Sequence, residues 1–410
     1  MKKLLIIGYV WPEPNSSAAG SRMMQLVNFF QQQNYQITFT SPAQRTEHMV
    51  ELNDFQVDSV DIKLNCSSFD EFVKQLQPDV VMFDRFMMEE QFGWRISEQC
   101  PQSLKILDTE DLFCLRHARH EAYKQQRVMT EADLLSSELA QREVAAILRC
   151  DLSLMISPKE ISLLEELFKV DGNLLHFCPL MYSPEELTAN NPDFAKRDDF
   201  ISIGNFRHAP NWDAVLWLKQ QIWPLIRAQL PQAQLHIYGA YPPPKATALH
   251  DEKSGFLVKG WVDDARLAMQ SARVCLAPLR FGAGIKGKLA EAMLCATPSV
   301  TTDIGIEGME SDLGWPGLVA NDNQALADAA IKLYQEADTW QQFSNLGPEN
   351  AKLLFDKNKH FALLASRLAE VSTGLLLHRQ QNFIGAMLNH HHHKSTKYMA
   401  QWIEAKNKLN

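Results

Sequence analysis

The sequence has no run near the roughly 18 apolar residues of a membrane span, so no transmembrane anchor is expected. Its seven cysteines (Cys66, Cys100, Cys114, Cys150, Cys178, Cys275 and Cys295) are odd in number, form no C-x-x-C pair and mostly sit inside apolar runs. That pattern excludes a disulfide scaffold and reads as reduced core thiols. An excess of positive charge is missing too: the net charge of -9 gives no general reason to expect nucleic acid. No DxD-type motif stands out, so no metal ion is expected. The apolar start MKKLLIIGYVW ends at Pro12 without a small-residue cleavage site, which fits a strand better than a signal peptide. Together these absences imply a cytoplasmic protein, peripheral at most to a membrane.

What is present is a chain of 410 residues, 46% hydrophobic and 22% charged, long enough for two α/β domains with a core each. Residues 275 to 308, CLAPLRFGAGIKGKLAEAMLCATPSVTTDIGIEG, order strand, glycine loop, helix and second strand without interruption. Small residues at Gly282-Ala283-Gly284 let backbone N–H groups approach an anion closely. The following helix would turn its positive end to the same anion, with Lys286 and Lys288 adding full charges. Glu291, about a turn and a half after Lys286, is placed to meet the ribose of a nucleotide whose diphosphate sits on the loop. An ordinary strand-to-helix turn is the alternative.

Earlier in this half, strand Phe200–Ile203 runs into GNFRHAPNWDAV, where Gly204 permits a tight turn and Arg207 leaves a strand end. Arg207 and Lys286 on either side of a diphosphate would neutralise bound donor and leaving group alike, and both are catalytic candidates. A later strand, Phe256–Val262, carries Gly260-Trp261-Val262.

With Gly204-Asn205-Phe206-Arg207, Pro210-Asn211 and Gly239, these residues resemble the C-terminal half of GT-B glycosyltransferases of the GT4 type, most strongly over residues 199 to 310. The resemblance implies two Rossmann-like doubly wound domains facing across a cleft, and a nucleotide-sugar donor on the second. It implies no cofactor, retention at the anomeric carbon without metal, and an acceptor that is a glycan or lipid-linked. Its donor residues map onto Gly20, Gly204, Arg207, Trp261, Val262, Gly282, Ala283, Gly284, Ile285, Lys286 and Glu291, with the Trp261 segment at the nucleobase. One departure is Ala283: many members have Glu there, eight positions before the residue matching Glu291, contacting the donor sugar.

The expected boundaries are an acceptor domain at 1–182, a linker rich in Pro, Asn and charge at 183–199, a donor domain at 200–380, and a tail at 381–410. In the first domain, strands at Leu4–Val10, Gln36–Thr40, Asp79–Phe83, Leu104–Leu107 and Asp151–Ile156 alternate with helical patterns. Ser16, Ser17, Gly20 and Arg22 follow the first strand; Asp84 and Arg85 follow the third; Asp108 and Asp111 follow the fourth. All sit on the rim where doubly wound sheets bind ligands. Arg22, Asp84, Arg85, Asp111 and His117 are acceptor-side candidates and Asp108 a catalytic one, with helix capping the alternative for Asp108 and Asp111.

The segment RHARHEAYKQQR, holding His117 and His120, reads as a solvated basic face or a contact for an anionic acceptor or lipid head group. From Asn323 to about Val371 the pattern is helical, with a break expected at Gly347-Pro348. His390–His393 reads as part of a final helix rather than a tag or metal site, and the resemblance implies that this helix returns to the first domain through Tyr398, Met399, Trp402 and Ile403. Donor closure would bring residues 8 to 22 and 108 to 117 toward Lys286. Two other readings stay open: a sugar-nucleotide epimerase on the same architecture, and a nucleotide-sugar-binding protein without catalysis.

Overall fold

The structure is a computed structural model that describes residues 1–409, without the side chains of residues 391–394. The side chains of His391, His392 and His393, most of the histidine run, therefore lie outside the described residues.

Two parallel sheets are present, as the doubly wound reading requires. The first contains β1 (Lys2–Ile7), β2 (Tyr35–Ser41), β3 (Asp58–Asp61), β4 (Val80–Asp84), β5 (Leu104–Glu110), β6 (Leu152–Met155) and β7 (Leu175–Phe177), in the order β3-β2-β1-β4-β5-β6-β7. The second contains β8 (Asp198–Ile203), β9 (Leu235–Tyr238), β10 (Phe256–Gly260), β11 (Ala272–Ala277), β12 (Ser299–Thr301) and β13 (Gly317–Val319), in the order β10-β9-β8-β11-β12-β13. Central strands such as β1 (KKLLII) and β4 (VVMFD) are buried on both faces, hence their unbroken apolar runs. The edge strands β3 and β7 lack such a run and were not expected.

Strand ends set the rim. β1 stops at Ile7 rather than Val10, because Gly8 onward turns away: the Tyr9 N–H donates to Asp84 Oδ2 at 3.0 Å, and Trp11 Nε1 donates to Ala43 O at 2.9 Å. In β5 the register with β6 shifts between Asp108 and Glu110, and Glu110 takes a left-handed φ of 56°.

The expected break at Gly347-Pro348 is absent. One helix runs Ala337–Phe355 through Pro348, with Trp340, Ala351 and Phe355 buried along it. A Cβ on Gly347 would stand 2.8 Å from Met293 O, so packing against the helix Gly287–Leu294 holds the backbone where propensity alone would break it.

The chain returns to the first domain before residue 381. Tyr182 and Asp356 bridge in parallel where the two crossings run side by side. From there the helix Lys357–Thr373 places Phe361, Leu364, Leu368 and Val371 in the core beneath β1, with Phe361 edge-on to Phe29 at 5.2 Å. The helix Phe383–Leu409 then packs on the helices Phe86–Gln99 and Glu138–Arg149. Its anchors differ from those expected. Tyr398, Met399 and Trp402 are exposed; Ala400 is buried, and Lys397–Glu98 and Ser67–Glu404 make the polar contacts.

Candidate active site

A cleft of about 1110 Å³ lies between the carboxyl ends of the two sheets, lined by both domains. On its second-domain wall the loop after β11 leads into the helix Gly287–Leu294, and facing it the turn after β1 leads into the helix Ala18–Gln32. A Cβ added to Gly287 would stand 2.3 Å from the Cβ of Ala18. Two helix N-termini therefore meet across the cleft, and backbone N–H groups and dipoles from both favour an anion there. Gly20 is required by the same turn, since a Cβ there would meet Glu13 O at 2.3 Å.

Three cations line this region. Lys286 Nζ donates to Gly284 O at 2.5 Å, and burial pushes its ammonium down to about 8, opposed by Glu307. Lys288 donates to Asn211 Oδ1 at 2.8 Å and is likewise lowered to about 8 by burial. It lies against Gly204, where a Cβ would come within 2.8 Å of its Nζ. Arg207 is exposed, its guanidinium 3.5 Å from the centre of the Tyr241 ring. Glu291 lines the cleft one helical turn beyond Lys288, its carboxyl raised by burial against the pull of Arg266 and Lys288.

The domains are latched at several points around this cleft. Arg119 donates to Gly282 O at 2.8 Å and forms a two-pronged ion pair with Glu307 at 2.6 and 2.8 Å. Glu160 Oε1 accepts the Gly284 N–H at 2.8 Å and the Leu112 N–H at 2.9 Å. At the opposite rim Tyr241 Oη donates to Glu13 Oε1 at 2.7 Å, and Trp261 stacks on His48 at 4.8 Å.

Residues 197–336 match the family model of the glycosyl transferases group 1. The whole chain shares its fold with sucrose-phosphate synthase from Thermosynechococcus elongatus, with a TM-score of 0.65 and 16% identity over 91% of this chain and 100% of that one. HepE from Anabaena, solved with UDP and glucose, superposes at a TM-score of 0.65 and 13% identity over 90% of this chain and 100% of that one. A mutant of S. aureus TarM, in complex with Fondaparinux, alpha-GlcNAc-glycerol and UDP, gives 0.67 and 10% identity over 90% and 99%. No curated protein matches the sequence. The fold is GT-B.

Of the residues expected on the donor side, Gly20, Gly204, Arg207, Trp261, Val262, Gly282, Ala283, Ile285, Lys286 and Glu291 all line the cleft. Gly284 does not. At φ 63° it turns to the first domain, where a Cβ would meet Asp111 Cβ at 2.9 Å. At the point of departure, Ala283 lines the cleft and its methyl also packs against the first domain's core cluster.

On the acceptor side, Asp84, Arg85 and Asp111 line the cleft. Arg22 and Asp108 do not: both are fully buried and pair with each other, and Arg22 also donates to Cys178 O at 2.9 and 3.1 Å. His117 is exposed and away from the cleft, while its neighbours Arg119 and His120 face the glycine loop, His120 stacking on Phe281 at 4.3 Å. The RHARH helix thus makes an interdomain contact.

Glu110, in the strand-end segment Asp108-Thr109-Glu110-Asp111 read as acceptor-side, lines the cleft, as do Arg116 and, from the second domain, His208, which sequence reasoning did not single out. Arg116 grips Asp111 at 2.6 and 3.3 Å and, against the cost of burial, holds its carboxyl below the usual range. Burial pushes His208 down to about 4 and Glu110 up to about 8. Among the described residues no group of His, Cys, Asp and Glu side chains converges as a metal site, and no helix is long and apolar enough to cross a membrane.

Proposed function

We propose that this chain is a glycosyltransferase that moves a sugar from a nucleoside-diphosphate sugar to a hydroxyl of a glycan or lipid-linked acceptor, with retention and without a metal ion. The observation that carries this reading is the meeting of two helix N-termini, at Ala18 and Gly287, beside Lys286, Lys288 and Arg207. The diphosphate sits among these groups, the ribose against Glu291, and the base at the Trp261–Val262 rim.

As the bond from the anomeric carbon to the diphosphate oxygen breaks, negative charge grows on the β-phosphate, and preorganised amides with Lys286 and Arg207 stabilise it. The acceptor hydroxyl attacks from the same face, guided by Asp84, Glu110 and Asp111, and its proton passes to the departing phosphate. The chain acts on the cytoplasmic side, without nucleic-acid partners.

Incubation with a panel of nucleotide sugars and glycan acceptors tests the proposal through nucleotide release and the product's anomeric configuration. A retained anomer with wild type, and loss of about 100-fold in Lys286→Ala, is expected. An inverted product refutes retention, and an isomerised donor formed without acceptor assigns an epimerase instead.

A further inference from the structure

The first-domain wall of the cleft holds hydrogen-bonding groups that the protein itself does not use. Arg85 follows β4 at φ 69° and ψ 156°, a backbone conformation that is nearly glycine's alone. Its N–H donates to Asp108 O at 2.8 Å, which pins this strained residue to the end of β5. The Arg85 guanidinium lies 5.2 Å from the centre of the Tyr9 ring and 3.7 Å from Asp84 Oδ1, too far for a hydrogen bond. Among the described residues it donates to no acceptor, so its fork of N–H donors is left to what fills the cleft. Glu110, 7% exposed and lining the same cleft, meets Arg22 through Oε1 at 3.4 Å and none of the described residues through Oε2. Tyr9 and Val10, 41% and 45% exposed, add an apolar strip beside the guanidinium.

This wall carries no net charge. Arg22 pairs with Asp108, Arg116 with Asp111 at 2.6 Å and, more loosely, Arg85 with Asp84. Burial raises the Glu110 carboxyl to about 8 and lowers His208 of the second domain to about 4, so both are uncharged at pH 7. The opposite wall, by contrast, offers Lys286, Lys288 and Arg207 to an anion. A charged ligand on the first-domain wall would upset pairs already made, whereas hydroxyl groups use both the donor fork and the carboxyl without adding charge. A pyranose has neighbouring hydroxyls around its edge and C–H groups on its face, and the latter suit Tyr9 and Val10.

We propose that Arg85 and Glu110 bind the acceptor as an uncharged sugar ring, the guanidinium donating to one hydroxyl oxygen, the Glu110 carboxyl bonding its neighbour and the ring face resting on Tyr9. The proposal depends on the transfer activity put forward above and narrows its acceptor: the sugar at the reacting end carries no phosphate, carboxylate or ammonium group.

The test is saturation-transfer NMR on the full chain at pH 7 with methyl glucoside, galactoside and mannoside, and with their uronic-acid, 6-phosphate and amino counterparts. A neutral glycoside should bind at least about tenfold more tightly than each of its charged counterparts. Arg85→Gly and Arg85→Ala should both weaken that binding by about tenfold, the scale of a charge-assisted hydrogen bond. Glycine suits the backbone at position 85 and alanine does not, so Arg85→Gly should unfold at a higher temperature than Arg85→Ala. Equal loss of binding in two variants of unequal stability marks a direct contact with the sugar. A loss that follows the unfolding temperature, undiminished binding by Arg85→Gly, tighter binding of a charged glycoside, or no binding of any glycoside overturns the proposal. Calorimetric titration of the same samples with UDP, GDP, ADP and dTDP separates the two levels. Nucleotide binding alongside any of those contrary results refutes the neutral acceptor alone, whereas absence of nucleotide binding refutes the transfer activity on which it depends.

Discussion

The Gly284 N–H of the second domain donates to Glu160 Oε1 of the first at 2.8 Å. The glycine loop thus shares its amides between a cleft suited to phosphate and the body of the opposite domain. Glu160 also accepts the Leu112 N–H, while Glu143 accepts those of Phe113 and Cys114, so two buried glutamates cap the helix that carries Arg119. Interdomain geometry and the anion site are therefore coupled through one carboxyl group.

Stability should record that carboxyl's titration. Burial, with Asp111 adding to it, raises Glu160 from 4.5 to about 8. Between those values the folded chain holds a proton that the unfolded chain releases, so stability falls as pH rises through the window, by at most about 1.4 kcal/mol per pH unit for one proton. Glu110 and Glu143 contribute in the same direction. Glu160→Gln is expected to flatten the fall in thermal midpoint between about pH 5 and pH 8. Curves parallel to wild type would assign the slope elsewhere.

Gly287→Ala places a methyl within 2.3 Å of Ala18, and both atoms belong to helix starts that cannot yield. The domains must separate there. Small-angle scattering should show a larger radius of gyration, with turnover reduced by about 100-fold from misplaced groups. A variant with wild-type dimensions and rate would mean that this contact does not set closure.

Arg119 and Glu307 join the domains by a partly buried, two-pronged pair. In a double-mutant cycle of Arg119→Ala and Glu307→Ala, read by donor-dependent closure, the coupling should be about 1 kcal/mol. Additive effects would show that the pair contributes nothing.

Two neighbouring acids in β5 should part company. Asp108→Ala leaves the buried Arg22 charge only its longer 3.4 Å pair with Glu110 and is expected to cost about 3 kcal/mol in denaturant unfolding. Glu110 faces the cleft, so Glu110→Gln should leave stability nearly intact and raise KM for acceptor while sparing donor affinity. Equal destabilisation by both changes would remove the distinction.

The contrast explains what was legible beforehand. Lys286, Glu291 and the glycine loop could be read because an anion site needs small residues and a helix start contiguous in sequence. Central strands were readable from runs buried on both faces; β3 and β7, at the edges, had no such run. Glu160 looked only like part of a helix start in Ser157-Pro158-Lys159-Glu160, and Arg119 like a solvated charge, because the groups that give them meaning, Gly284 and Glu307, lie 124 and 188 positions away. Asp108 and Glu110 share a strand end, and a register shift that composition does not signal decides which lines the cleft.

The central claim, a nucleoside-diphosphate site beside the meeting helix starts at Ala18 and Gly287, is tested most directly by calorimetric titration with UDP, GDP, ADP and dTDP. Wild type should bind one nucleotide tightly, with affinity falling as pH rises through about 8, where Lys286 loses its proton. Lys286→Ala and Glu291→Ala should each lose about tenfold to 100-fold, the scale of a charge-assisted contact. Absence of binding by every nucleotide, or affinity unchanged in both variants, would contradict the account and leave the glycine loop a structural turn.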